Sequence, residues 1–324
     1  MIRPKITLAL SVYDRHIPFF DGTVELKDAE LKVLAVGEAN TLRDGGKRHH
    51  RMLIDREFDG CEVSLSSYIM ARSQDLPFTA IAVFPRRLFS QSHIWVGSDS
   101  SINTPKDLIG RNVGVITFQT TLSVQAKGDL QAEYGVPWRA IQWHIAAEEP
   151  IEFNPPHGLV LHRIPDGRKL SELLESREID AMITPRPPVG AKGRVEFRRL
   201  FADPRDEELR YFRKHGFFPA MHVIALKQDI VAQYPWVPAA LSNLFIEAQE
   251  ICRSYYADPN WTMLAWNRHL FEEEQKLLAG NLWPIGVPGN RTNLDCFLNC
   301  MTDQGLLSKK LRLEELFLPD FAIS

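Results

Sequence analysis

No stretch of the 324 residues approaches the run of about 18 apolar side chains that a membrane-spanning helix needs. The opening Met1-Ile-Arg-Pro-Lys-Ile-Thr-Leu-Ala-Leu10 is too short an apolar run for a secretory core, and no small-residue cleavage site follows it. It reads as a first strand, and the expected location is cytoplasmic. Cysteine is scarce: Cys61, Cys252, Cys296 and Cys300 show no C-x-x-C spacing, so they read as buried thiols rather than as a disulfide framework or metal ligands. A dominant charge is missing too, with 38 Lys and Arg against 41 Asp and Glu, so no overall field draws the chain to nucleic acid or to an anionic membrane. Solenoid-length repeats and low-complexity tracts are absent.

What is present is a globular composition, 44% hydrophobic and 24% charged, in a chain long enough for two domains. Short apolar strands alternate with amphipathic helices through the first 225 or so residues, the pattern of an α/β protein with mostly parallel sheets. The spacing predicts strands at Lys5 to Leu10, Leu31 to Val36, Gly60 to Val63, Thr79 to Phe84, Ser92 to Val96, Arg111 to Val115, Ala140 to Trp143, Ala181 to Thr184 and His222 to Leu226. From Pro235 onward strand signals stop, and helical periodicity over Val237 to Tyr256, Trp261 to Gly280 and Asn290 to Gln304 predicts a helical C-terminal layer. Trp261 and Trp266 there fit either a core or the interface of a homo-oligomer. Lys47-Arg-His-His-Arg51 is either a binding feature or a solvated loop.

Two junctions read as strand ends that empty into hydroxyl-rich helix starts. One is Glu62-Val-Ser-Leu-Ser-Ser-Tyr68, with Ser64, Ser66 and Ser67 near the N-cap; the other is Thr117-Phe-Gln-Thr-Thr121, with Thr117, Gln119, Thr120 and Thr121 opening the helix. The unpaired N–H groups of a first helical turn can hold a carboxylate without any lysine. Simple helix capping explains each junction alone; their repetition in both halves points to an anion held between two lobes.

Several phrases together resemble the type II periplasmic-binding-protein fold: Thr104-Pro-Lys-Asp-Leu-Ile-Gly-Arg-Asn-Val-Gly-Val115, Lys169-Leu-Ser-Glu-Leu-Leu-Glu-Ser-Arg-Glu-Ile-Asp-Ala181, and the late return to helix. That resemblance implies a first lobe of residues 1–96 and 225–324 holding both termini, an inserted second lobe of 97–224, and a ligand cleft between them. Within that fold the chain looks like the 4,5-dihydroxyphthalate decarboxylase family. The matching phrases span most of it: Val12-Tyr-Asp14 with Asp21-Gly22, Arg51-Met-Leu53 with Arg56-Glu-Phe-Asp59, Glu62 to Tyr68, Phe84-Pro-Arg-Arg87, Phe118-Gln119, Glu133-Tyr-Gly135, Phe218-Pro-Ala-Met-His222, Pro235-Trp236 and Gln304-Gly305. Departures fall among them. Ser90-Gln91 stands where the family commonly has Arg-His, and Gln125 and Lys127 stand where Trp and Arg are usual, which leaves the identity of the acid open.

The resemblance implies a non-oxidative decarboxylase of a hydroxylated, phthalate-like aromatic acid, acting by ipso protonation in the interlobe cleft. A solute-binding protein for a small anion is the alternative. Such a reaction needs a proton donor over the ring carbon, a partner for the phenol and a weakly solvated place for the leaving carboxylate. His222, opening a strand, is the first choice for proton transfer, against a core histidine. Arg51, Arg87 and Arg186 are each candidates to pair a substrate carboxylate, Arg186 because it follows a strand end. Glu62 and Asp14 read either as the acid or partner of His222 or as a cap or salt-bridge partner, and Tyr13 and Tyr68 either meet ring hydroxyls or pack. No cofactor is chemically required. A divalent metal on His49 and His50 is a competing route, although adjacent imidazoles do not readily face one ion.

Overall fold

The computed structural model describes residues 3–37, 47–189 and 197–318. In chain order its strands are β1 Lys5–Leu10, β2 Glu30–Ala35, β3 Gly60–Ser64, β4 Phe78–Ile81, β5 Ile94–Gly97, β6 Asn112–Val115, β7 Gln142–Ile145, β8 Leu161–Arg163, β9 Ala181–Ile183, β10 Phe197–Arg199 and β11 His222–Lys227. Its helices are α1 Ile17–Phe20, α2 Arg48–Leu53, α3 Leu65–Ser73, α4 Thr121–Tyr134, α5 Leu170–Glu175, α6 Pro204–His215, α7 Gln228–Gln233, α8 Val237–Tyr255, α9 Asn267–Leu277 and α10 Arg291–Asp303. No helix among the described residues is long and apolar enough to cross a membrane.

The chain divides into two compact units, Met1–Arg86 with His222–Arg291 and Leu311–Ser324, and Arg87–Met221 with Thr292–Lys310. In the first, the sheet order is β2-β1-β3-β11-β4, parallel across β2, β1 and β3, with β11 antiparallel to both its neighbours. Every residue of β3 and β4 is buried, polar Glu62, Ser64 and Thr79 included, so neither strand has a solvent face. Helix α8 covers the sheet with Val237, Leu241, Leu244, Phe245 and Ala248, a stripe at helical spacing, and its proline sits in the first turn where no intrahelical N–H bond is lost. Gly60 lets the central strands close up. A Cβ there would lie 2.9 Å from a Leu226 methyl and 3.1 Å from one of Leu8.

In the second unit the sheet order is β10-β5-β9-β6-β7-β8, with β9, β6, β7 and β8 parallel and β5 antiparallel to both neighbours. Helix α4 ends at Gly135 in the left-handed region (φ 65°), the usual stop for a helix. Helix α6 has Asp203 as N-cap, accepting the Asp206 N–H at 3.1 Å, and Pro204 as its first residue.

The boundaries differ from those expected. Residues 87–96 join the second unit because β5 pairs with β9 and β10. Residues 292–310 do so because Asp303 accepts the Trp138 indole N–H (2.7 Å) and Gln304 donates to the Val124 carbonyl (2.9 Å). Two strands, β8 and β10, went unread. Both are sheet edges only three residues long and rich in His or Arg, so they carry no apolar run. Cys61 and Cys252 are buried as expected, but Cys296 is exposed. Trp261 and Trp266 face solvent, Trp266 with 72% of its surface, so neither is a core residue.

Candidate active site

Strand register brings the first functional pair together. β11 runs antiparallel to β3 with His222 opposite Ser64 and Ile224 opposite Glu62, so His222 and Glu62 are diagonal neighbours on one face. The His222 Nδ1 and Glu62 Oε1 share a short hydrogen bond. Glu62 is fully buried and its carboxylate is saturated: Oε2 accepts the Ser11 N–H (2.9 Å), Oε1 accepts the Tyr13 hydroxyl (3.2 Å), and the Arg48 guanidinium lies 3.3 Å from Oε1. Arg48 is itself locked, donating from Nε to the Glu62 carbonyl (2.8 Å) and from Nη1 to the Val36 carbonyl (2.6 Å) and the Ser11 hydroxyl.

These contacts set the protonation states. Burial alone would raise the Glu62 carboxyl, but Arg48 and then His222 outweigh it and hold it well below the usual carboxylate range. Burial pushes His222 down to about 4 against the pull of Glu62. At neutral pH the pair is therefore an anionic carboxylate and a neutral imidazole. Because the carboxylate only accepts, Nδ1 carries the proton, which leaves the Nε2 lone pair as the working atom; no described residue bonds it. His49, on α2, stands edge-to-face against His222 with ring centroids 5.2 Å apart, and burial together with His222 lowers it well below the ordinary histidine value. His16 donates from Nδ1 to the Ser11 carbonyl (2.8 Å), and its buried Nε2 has no partner.

Other expected residues are committed elsewhere. The Asp14 carboxylate accepts the Arg15 N–H (2.8 Å), its guanidinium (3.0 Å) and the Tyr256 hydroxyl; burial opposes ionisation, but Tyr256 and Arg15 outweigh it and keep the carboxyl below its ordinary value. Arg51 is gripped through two 2.6 Å bonds by Glu57 and lies over the Phe58 ring. Tyr68 is buried and donates to the Leu316 carbonyl, tying α3 to the C-terminal segment. Ser64, Ser66 and Ser67 are all buried; Ser64 and Ser66 share a hydrogen bond at 3.1 Å, and the Ser67 hydroxyl has no partner.

In the second unit the turn that leads into α4 holds a carboxylate, and the chain supplies it. Glu149 accepts the Phe118 N–H (2.6 Å) and the Gln119 N–H (3.2 Å), while Thr117 Oγ1 accepts the Thr120 N–H (3.1 Å). The Gln119 amide is bonded to the backbone of Ile151, and Thr121 is buried in the first turn of α4. Arg87 donates to the Phe218 carbonyl (2.7 Å), and Arg186 is exposed past the end of β9. Two of the departures noted in the sequence converge: Ser90 Oγ and Gln125 Nε2 donate to opposite oxygens of buried Asp129, at 2.6 and 2.8 Å. Burial pushes that carboxyl up to about 7. Lys127 is buried with its Nζ donating to the Phe118 carbonyl (2.8 Å).

Among the described residues no group of three His, Cys, Asp or Glu side chains is arranged to hold a metal ion. His49 faces His222, whereas His50 stands 3.7 Å from Asp55, so the two imidazoles serve different partners. Sequence reasoning missed Arg48, His16 and Arg86. The first lay inside the flagged basic cluster, and the last was passed over for its neighbour Arg87.

No family model matches the chain. The 4,5-dihydroxyphthalate decarboxylase of Comamonas testosteroni is 31% identical to it, covering 98% of each chain. The chain belongs to the 4,5-dihydroxyphthalate decarboxylase family. A second curated relative in this family, from Pseudomonas putida, is 28% identical over 66% of this chain and 84% of its own. The alkanesulfonate-binding protein SsuA from Xanthomonas axonopodis pv. citri superposes with a TM-score of 0.59 at 9% identity over 99% of both chains. The family member described here thus has the fold of the type II periplasmic binding proteins.

Proposed function

We propose that the chain is a non-oxidative decarboxylase of a hydroxylated, phthalate-like aromatic acid, with His222 as its proton carrier. The observation that carries this reading is the buried Glu62–His222 pair in a chain so similar to a 4,5-dihydroxyphthalate decarboxylase. A phenolate para to the carboxylate pushes electron density into the ring. The His222 imidazolium then delivers its Nε2 proton to the ring carbon that bears the carboxylate. The bond from that carbon to the carboxylate breaks, its electron pair restores the aromatic ring, and CO2 leaves. One carboxylate and one proton become one C–H bond and CO2, with no oxidant or reductant in the balance. Glu62 orients the ring and stabilises the imidazolium through Nδ1.

Empty, His222 is neutral at pH 7. A substrate carboxylate beside it favours the protonated form, so the acid that must be protonated is loaded by the molecule it acts on. Four cysteines free of disulfides support a reducing, cytoplasmic setting. The exposed Trp261 and Trp266 support self-association into a homo-oligomer.

Purified protein mixed with 4,5-dihydroxyphthalate should release CO2 with loss of the substrate's ultraviolet band. His222→Ala should abolish turnover while ligand affinity stays within about tenfold, as expected for a group that acts in the transition state. An unchanged rate would remove His222 from the mechanism. Tight binding without turnover by the unaltered protein would favour solute capture.

A further inference from the structure

We propose that Arg86 binds the carboxylate that the substrate keeps, next to the one that leaves. The inference rests on the decarboxylase reading and names the chemistry that recognises the substrate there. Arg86 lies beside the start of β11: its carbonyl accepts the His222 N–H at 3.4 Å, and the residue is half-buried. The positive charge of its guanidinium is felt by Tyr13, His49 and His222 alike, which places it among the groups gathered around the Glu62–His222 pair.

Its neighbours' cations are all engaged. Arg48 is bonded to Glu62, Val36 and Ser11, Arg15 to Asp14 and the Pro85 carbonyl, and Arg51 to Glu57. Among the described residues the Arg86 side chain has no hydrogen bond, ion pair or ring contact. The cluster's charges therefore do not cancel. Glu62 offsets Arg48, the imidazoles of His16, His49 and His222 are neutral at pH 7, and Arg86 is left as one surplus positive charge. The planar fork of donors on a guanidinium fits a carboxylate through two parallel bonds.

Which carboxylate it holds follows from the chemistry. An ion pair stabilises a carboxylate but not the neutral CO2 it becomes, so arginine on the leaving group would oppose the reaction. Arginine on the adjacent, retained carboxylate anchors the ring without that penalty.

The test compares unaltered protein, Arg86→Gln and Arg86→Lys by calorimetric binding of three probes: 4,5-dihydroxyphthalate, 3,4-dihydroxybenzoate with one carboxylate, and catechol with none. Because the Arg86 side chain makes no bond among the described residues, both variants should melt as the unaltered protein does. Arg86→Gln should bind both acids about 10- to 100-fold more weakly, as expected for loss of a charge-assisted bidentate pair, with catechol affinity unchanged within about twofold and Arg86→Lys intermediate. Equal weakening of all three probes, undiminished acid binding by Arg86→Gln, or no preference of the unaltered protein for acids over catechol would each overturn the proposal. CO2 release is read separately. If the unaltered protein shows carboxylate-dependent binding but liberates no CO2 from 4,5-dihydroxyphthalate, the decarboxylase reading fails while the anchor stands.

Discussion

Replacing Glu62 by glutamine removes a charge and keeps the side chain's size, so its effects isolate the electrostatics of the site. The carboxylate is fully buried and lies 3.3 Å from the Arg48 guanidinium. At an effective dielectric near 20 that separation corresponds to an attraction of about 5 kcal/mol. The amide leaves Arg48 buried without its counter-charge, and breaking a buried pair from one side costs about 3–5 kcal/mol. Set against a total stability of roughly 5–15 kcal/mol, Glu62→Gln folds but melts about 10 °C lower, at the few degrees per kcal/mol expected for a unit of this size. Combining it with Arg48→Met should recover part of the loss, because each single change leaves one charge stranded and the pair of changes strands none. Turnover should fall further than stability suggests, by about 10²- to 10⁴-fold, since the amide can still accept from Nδ1 but no longer stabilises the imidazolium. Scanning calorimetry and CO2 release read the two effects independently. A variant that melts with the unaltered protein and turns over at its rate would refute the whole assignment.

Arg51→Ala should change stability by less than about 1 kcal/mol and leave KM within about twofold, because the partly exposed Arg51–Glu57 pair is a surface ion pair; a tenfold rise in KM would return Arg51 to the list of substrate ligands. Acid should weaken the fold from about pH 6.5 downward through its buried imidazoles. His16 and His222 are both pushed down to about 4 from 6.5, so the unfolded chain takes up their protons first and stability, complete above pH 6.5, is lost as pH falls toward 4. The loss is about 3 kcal/mol for each imidazole, and Glu62 adds to it only below 4.5. Urea midpoints should decline between pH 6.5 and 4.5, less steeply than two imidazoles alone would give because the raised Asp129 carboxyl acts with the opposite sign, and a profile that rises throughout that interval would show that these imidazoles are not shielded.

The elements of the fold were legible because burial leaves a periodic trace. Strands β1, β6 and β11 are largely apolar runs, and α8 repeats its buried side chains at helical spacing. Edge strands such as β10 leave no such trace, because their residues face water and carry charge. The helix start at Thr117 shows a subtler limit. The N–H groups of Phe118 and Gln119, in the loop ahead of the Thr120 N-cap, bind a carboxylate, and nothing local reveals that it belongs to Glu149, about thirty residues away. A side chain tethered to the fold meets those donors at far higher effective concentration than a dissolved ligand can.

The same reasoning explains why the sequence does not show which arginine is left without an internal partner. A guanidinium is free to bind a ligand only after the chain's own acceptors have been shared out, and the sharing depends on pairings that sequence distance does not predict. Arg51 loses its freedom to Glu57 six residues on, whereas Arg48 is claimed by Glu62 at the floor of β3. Glu62 in turn meets His222 across 160 residues solely because β11 runs antiparallel beside β3 in that register. Slipping that register by one residue would turn His222 to the opposite face of the sheet, away from Glu62. The Glu62–His222 pair is thus a consequence of strand register, and the charge left over on Arg86 is a consequence of the pair.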